Sequence, residues 1–237
     1  MPRVFLTAEW RSLVVLNYRI DPHVLQAFVP RGTELDLWQE EAVVSVLGFL
    51  FLQTRVLGLR VPFHQDFEEV NLRFYVKREA ADGVRRGVVF IKEIVPKPAI
   101  AITARLFYNE PYVAMPMSHE APPGGAAGDL SFRWRHRGRW HSIAARTRGE
   151  PGPMPPGSEQ EFIFEHYWGY SRQRDGGTVE YQVEHPRWRV WPVENATFEC
   201  DVASIYGSPF VNALSLPPRS AFVAEGSAVQ VRSGTRI

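Results

Sequence analysis

Residues 67–79 read FEEVNLRFYVKRE. Val70, Leu72, Phe74 and Val76 recur at every second position, and Glu69, Asn71, Arg73 and Tyr75 fill the positions between them. A period of two places successive side chains on opposite faces, so the stretch reads as a strand with one apolar and one polar face. The polar face admits two readings. It is a solvated surface, or it is the inner wall of a barrel holding a polar ligand. On the second reading Arg73 grips a carboxylate with its planar fork and Glu69 takes or gives a proton. Asn71 and Tyr75 then add an amide and a phenol to the same wall.

The flanking sequence extends the β pattern. The strand turns at ADG (81–83) into RRGVVFIKEIV, a hairpin. Before it, EAVVSVLGFLFLQTRV is a long strand run in which Gly48 suggests a bulge. Earlier still, SLVVLNYRI is a strand and DPHVLQAFV a helix, with Asp21 as N-cap and Pro22 at the first helical position. After the hairpin, PAIAITARLFYN carries Ile100, Ala104, Phe107 and Tyr108 at helical spacing. A loop at 121–129 leads to a second hairpin, LSFRWRHRGRWHSIAARTRG, turning near Gly138. Residues 149–158 hold four prolines and three glycines and form a stiff connection, too short to separate independent domains. Ser158 and Glu161 have capping-box spacing. DGGTVEYQVEHPRWRVWPV reads as strand, FECDVASIYG as a short helix stopped at Gly207, and SAFVAEGSAVQVRSG as a closing hairpin. Many short strands with a few helices predict an α+β fold, mainly antiparallel, within a single domain over residues 1–237.

Composition narrows the classes. The chain has 237 residues, 45% of them apolar, and a formal net charge of +1, so no global charge favours nucleic acid or an anionic membrane. A single cysteine, Cys200, rules out an intrachain disulfide and suits a reducing cytoplasm. The start, MPRVFLTAEWRS, has no apolar core of signal-peptide length, and AVVSVLGFLFL falls short of the roughly 18 residues of a membrane helix. A cytoplasmic location is expected. Walker, GxGxxG and GxSxG motifs are absent. The histidines His64, His119, His166 and His185 lack metal-ligand spacing, so neither a metal nor a cofactor is expected. FRWRHRGRW alternates arginines with aromatics, as a single-strand nucleic-acid platform does, but a solvated strand face explains it better.

Two further stretches carry chemistry. Lys97 sits between two prolines ahead of the 98–107 helix, where the positive end of the helix dipole disfavours the ammonium form that a nucleophilic lysine must shed. FEHYWGY and EHPRWRVW concentrate His166, Tyr167 and Trp168 with His185 and Trp188, as an aromatic pocket lining does.

NYRIDPHVLQAFVPRGTELD, FEEVNLRFYV, RGVVFIKEIVP, ARLFYNEPY and EFIFEHYWGYSRQRDGGTVEYQVEHPRW together resemble the family called domain of unknown function 2071, YqjF-like. That family is similar to the acetoacetate decarboxylase superfamily. The resemblance implies a partly open, mainly antiparallel barrel with a central cavity and a few short helices. It also implies Arg11 as the active-site arginine, Glu69 as the active-site glutamate, and Pro96–Lys97 as the proline and Schiff-base lysine. Pro98 stands where the decarboxylase has its second lysine, and a second active-site glutamate on AVVSVLGF has no counterpart. The expected function is an enzyme on a keto acid or related carbonyl compound, with Lys97 forming the imine. The alternative is a non-catalytic small-molecule binding protein. The expected partner is a small molecule, with no nucleic acid, no membrane, and a homo-oligomer left open.

Overall fold

The computed structural model describes residues 2–107, 109–122 and 126–237, with backbone alone for 103–107. Its elements, in chain order, are β1 (Val4–Ile20), α1 (Pro22–Gln26), β2 (Glu34–Leu35), β3 (Ala42–Val56), β4 (Leu59–Arg60), β5 (Phe67–Ala80), β6 (Gly83–Val95) and α2 (Pro98–Phe107). Then follow β7 (Tyr112–Ala114), β8 (Met117–Glu120), β9 (Asp129–His136), β10 (Arg139–Thr147), β11 (Gly152–Pro153), α3 (Glu159–Phe164), β12 (Trp168–Arg172) and β13 (Thr178–Glu184). The last are β14 (Arg189–Trp191), β15 (Val193–Glu199), α4 (Val202–Ile205), α5 (Val211–Leu214), β16 (Ser220–Arg232) and β17 (Thr235–Arg236). The expected helix starts are present. Asp21 Oδ1 accepts from His23 N at 2.9 Å with Pro22 following, and Ser158 Oγ accepts from Glu161 N at 3.2 Å. Of the residues expected on the face of α2, Tyr108 lies outside the described residues.

The large sheet curls into a ring in the order β16–β1–β3–β5–β6–β12–β13, and β13 meets β16 again. Two junctions are thin. Val183 and Glu184 face Val231 and Gln230 at the β13–β16 seam, and Trp168 and Gly169 face Gly87 and Val88 where β12 runs parallel to β6. The chain is therefore an α+β, mainly antiparallel, partly open barrel. A second sheet, β15–β10–β9–β8, packs outside it. Its Phe132, Trp134 and Ile143 are fully buried with Val14, Val44 and Val46 of the barrel's outer face. Each such side chain contributes roughly 1.5–3 kcal/mol of transfer free energy. The barrel's inner face builds a separate apolar cluster that includes Leu13, Leu47, Phe49, Phe51 and Phe67.

Two sequence expectations need correction. SAFVAEGSAVQVRSG is not a hairpin; β16 runs unbroken through Gly226, which faces Arg11 with φ +77°. A Cβ at Gly226 would lie 1.9 Å from the Trp10 carbonyl oxygen, so the glycine serves close strand approach rather than a turn. Gly48 is not the bulged residue. It stays in register with Val70, and the extra residue is on β1, where Arg11 faces Leu50 but Val14 faces Gly48. Ser12 takes up that irregularity at φ +57°. The 149–158 connection is tied down by β11, which pairs with β14, and by the buried Met154.

Candidate functional site

The barrel encloses a cavity of about 340 Å³. Its apolar wall is aromatic. Trp10 meets Phe49 and Phe51 edge-on at 5.3 and 5.7 Å, and His185 stacks on Trp188 at 4.1 Å. Against this wall stand Glu69, Asn71 and Arg73 from β5, Glu93 from β6, Glu110 and Tyr112 after α2, Tyr181 from β13, and His166.

Local irregularities bring these groups together. Glu69, Asn71 and Arg73 share the inner face of β5 by simple alternation. Glu93 joins them through a bulge: Arg73 faces Phe90, yet Leu72 faces Lys92 and Asn71 faces Glu93. The extra residue turns both Phe90 and Glu93 inward. The bulge at Ser12 does the same for Trp10 and Leu13, which both line the cavity.

The three carboxyls lie within electrostatic reach of one another. Asn71 Nδ2 donates to Glu69 Oε1 at 2.9 Å, and the Tyr112 hydroxyl donates to Glu69 Oε2 at 2.9 Å. The Tyr181 hydroxyl donates to Glu110 Oε1 at 3.0 Å. Burial dominates their titration. It raises Glu69 to about 7, against the opposing pull of Asn71, Tyr112 and Arg73. It raises Glu110 to about 8, with Glu69 adding repulsion, and it pushes Glu93 well above the ordinary carboxylate range, helped by both neighbours. Among the described residues, Asn71 Oδ1, Glu93 Oε2 and Arg73 Nε are buried without a hydrogen-bond partner. Buried polar atoms left unpaired are costly, and at a cavity wall they mark where a ligand's polar atoms go. No group of three or more His, Cys, Asp and Glu among the described residues is arranged to hold a metal ion.

The sequence-derived residues distribute unevenly. Glu69, Asn71, Arg73, His166 and Trp168 line the cavity. Tyr75 is buried just behind it, its ring 4.7 Å from that of His166 and its hydroxyl 2.6 Å from Ser45 Oγ. Tyr167 donates to Glu165 Oε2 at 2.6 Å and lies against His185, outside the lining. Arg11 spends its guanidinium on Glu9 Oε2, at 2.9 and 3.0 Å, and on the Gly226 carbonyl. Lys97 is half-buried and starts α2, its carbonyl accepting from Ile100 N and Ala101 N. Ala99 and Ile100 line the cavity; Lys97 is not among the described residues that do. Sequence reasoning missed Glu93, Glu110, Tyr112 and Tyr181. Tyr181 was legible, because Val179, Tyr181 and Val183 alternate on β13. Glu93 was masked by the bulge, and Glu110 and Tyr112 by their place in a connection.

A mainly antiparallel, partly open barrel with a few short helices is the fold of acetoacetate-decarboxylase-like proteins. The chain belongs to the DUF2071 family of uncharacterized conserved proteins, whose model matches residues 7–228. The uncharacterized protein YqjF of Bacillus subtilis (strain 168) is 27% identical over 197 residues, covering 83% of this chain and 78% of that one. Among solved structures, the acetoacetate decarboxylase of Legionella pneumophila superposes with a TM-score of 0.70 at 13% identity, over 100% of this chain and 88% of that one. The enduracididine biosynthesis enzyme MppR, complexed with pyruvate, gives 0.69 at 15% identity, over 100% and 91%. At these identities the structural likeness shows the fold. No helix among the described residues is long and apolar enough to cross a membrane.

Proposed function

We propose that this protein is an enzyme that moves protons on a small carbonyl compound bound in the barrel cavity. One observation carries the reading. Glu69 is wholly buried and held by Asn71 and Tyr112, and its carboxyl is poised at about 7. A general base works best when its titration lies near the working pH. Glu93, kept protonated by burial, has an oxygen without a partner among the described residues and donates to the carbonyl oxygen as charge develops there. Arg73 adds an N–H donor to an oxygen of the same molecule. The aromatic wall excludes water, which strengthens each of these interactions. Structural neighbours that are enzymes, one of them complexed with pyruvate, support a carbonyl substrate.

The imine reading assigns Lys97 the covalent step and Glu69 the proton transfer. The position of Lys97 off the cavity lining favours the non-covalent route.

The test is solvent exchange. The protein is incubated in heavy water with a panel of small ketones, aldehydes and keto acids, and loss of the α-proton is followed by NMR. Exchange is expected to rise with pH with a midpoint near 7. Glu69→Gln is expected to lower it roughly 100-fold or more while binding persists. Binding of panel members without exchange in the unaltered protein would establish a binding protein instead. Borohydride trapping read by intact mass is expected to give no adduct. An adduct lost in Lys97→Ala would restore the imine.

A further inference from the structure

On the cavity wall beyond Asn71, His166 and Arg73 meet over one ring. The His166 ring lies 4.7 Å from that of Tyr75, and the Arg73 guanidinium sits 5.6 Å from the same centroid. Arg73 is anchored through Nη2 to the Ile163 carbonyl at 3.2 Å, and its Nε has no partner among the described residues. His166 is anchored through Nε2, 3.1 Å from Asp36 Oδ2. Its side chain is 1% exposed, and its Nδ1 has no partner among the described residues. Asp36 is buried and also accepts from Arg86 Nε at 2.6 Å; burial raises its carboxyl, but the hydrogen bonds and charge interactions with His166 and Arg86 together hold it below the ordinary range. An ionised carboxylate only accepts, so the proton between the two groups is on His166 Nε2. Burial pushes His166 down to about 4 despite Asp36, with Arg86 and Arg73 adding repulsion, so the ring is neutral. Nδ1 is then a bare lone pair.

The cavity wall thus carries a fixed N–H donor and a fixed acceptor, both without a partner among the described residues. We propose that this part of the wall is a subsite for an uncharged group that accepts from Arg73 Nε and donates to His166 Nδ1, with the geometry of a primary carboxamide, and that Asp36 is the positioning residue that sets its polarity. A carboxylate fits poorly. It satisfies Arg73 but turns its second oxygen onto the Nδ1 lone pair, leaving acceptor against acceptor. The surroundings add to this: Arg73 is the one arginine or lysine among the described lining residues, against Glu69, Glu93 and Glu110. The inference rests on the cavity being a ligand site, as the proposed function does, but not on proton transfer. It therefore stands or falls separately from the exchange experiment.

The test is calorimetric binding to the whole chain at neutral pH, with benzamide, N,N-dimethylbenzamide and benzoate as probes. The three share a ring for the aromatic wall and differ in donor and charge. Benzamide is expected to bind roughly tenfold or more tightly than either of the others, since each mismatch leaves a buried polar atom unpaired. Arg86 Nε and His166 Nε2 share Asp36 Oδ2, so in Asp36→Ala the ring loses the acceptor that fixes its proton on Nε2. The preference for benzamide over benzoate is then expected to fall toward parity, while Asp36→Asn, whose amide oxygen accepts from both groups, is expected to keep it. A second readout needs no variant: long-range nitrogen–proton couplings in the unaltered protein are expected to show the Nε2–H tautomer. Benzoate binding as tightly as benzamide, no binding of any probe, or an Nδ1–H tautomer would each overturn the proposal.

Discussion

Glu69 and Glu110 differ from surface carboxylates in one respect: burial sets their titration. The ordinary value is 4.5, and the folded values are about 7 and about 8. Below pH 4.5 both are protonated in the folded and unfolded chains alike. As pH rises, the unfolded carboxyls ionise first, so stability is lost through the window from 4.5 to about 8. His166 works in the opposite direction. Its ordinary value is 6.5 and its folded value about 4, so stability is lost as pH falls through that window. Glu110→Gln keeps an oxygen for the Tyr181 hydroxyl and removes the titration. In urea unfolding, the variant is expected to gain on the unaltered protein between pH 6 and pH 9, by on the order of a few kcal/mol. An unchanged difference between the two pH values would mean that Glu110 does not titrate as a buried group.

Strands, more than side chains, decide what reaches the cavity. The bulge in β6 turns Glu93 inward, and the bulge in β1 at Ser12 turns Leu13 inward beside Trp10. Two glycines hold such arrangements. Gly226 lets β16 approach Trp10 beside that bulge, at a φ only glycine adopts freely. Gly226→Ala adds a clash with backbone to that strain and is expected to destabilise by roughly 2 kcal/mol or more in a denaturant titration. Gly169 faces Tyr181 across β12 and β13, and a Cβ there would fall 2.1 Å from Tyr181 Cζ. Gly169→Ala is expected to push the Tyr181 ring away and break its hydrogen bond to Glu110. The far-ultraviolet spectrum should stay close to that of the unaltered protein, while the Glu110 titration moves up as that hydrogen bond is lost. A Glu110 titration that stays in place would show that the ring finds another route.

At the scale of the molecule, the barrel wall separates two cores with different tasks. The outer core, around Phe132, Trp134 and Ile143, fixes the second sheet to the barrel. The inner cluster surrounds the cavity. Trp134→Ala is expected to cost roughly 3–5 kcal/mol in urea unfolding. The affinity of the folded protein for a cavity probe should stay within about twofold, because separated sites add independently. A large loss of affinity would mean that the wall transmits strain between the cores. The β13–β16 seam is one of the two weak lines of the ring, with two facing pairs and the ion pair of Arg232 with Glu184 at 2.6 Å. Backbone amides there are expected to exchange with solvent faster than those between β1 and β3, as measured by native-state hydrogen exchange.

Much of this architecture is written locally. The alternation in FEEVNLRFYV marks β5 and its polar face, Asp21–Pro22 and Ser158–Glu161 start their helices, and the turns at 81–83 and Gly138 close their hairpins. These signals are legible because capping, turn chemistry and a period of two act between residues close in the chain. Whether the polar face of β5 looks out to water or into a cavity depends on closure of the ring between β13 and β16, far apart from β5 in sequence. The lysine in EIVPKPAIAITARLFYNEPY draws the eye, yet the same stretch supplies Glu93, Glu110 and Tyr112, which the cavity takes. A bulge and a connection bring them there, and neither leaves a periodic trace. The sequence by itself determined most of the long strands, the two helix caps and the family. Only the tertiary structure decided which acids share a wall, because their burial and mutual repulsion exist only once the barrel closes around them.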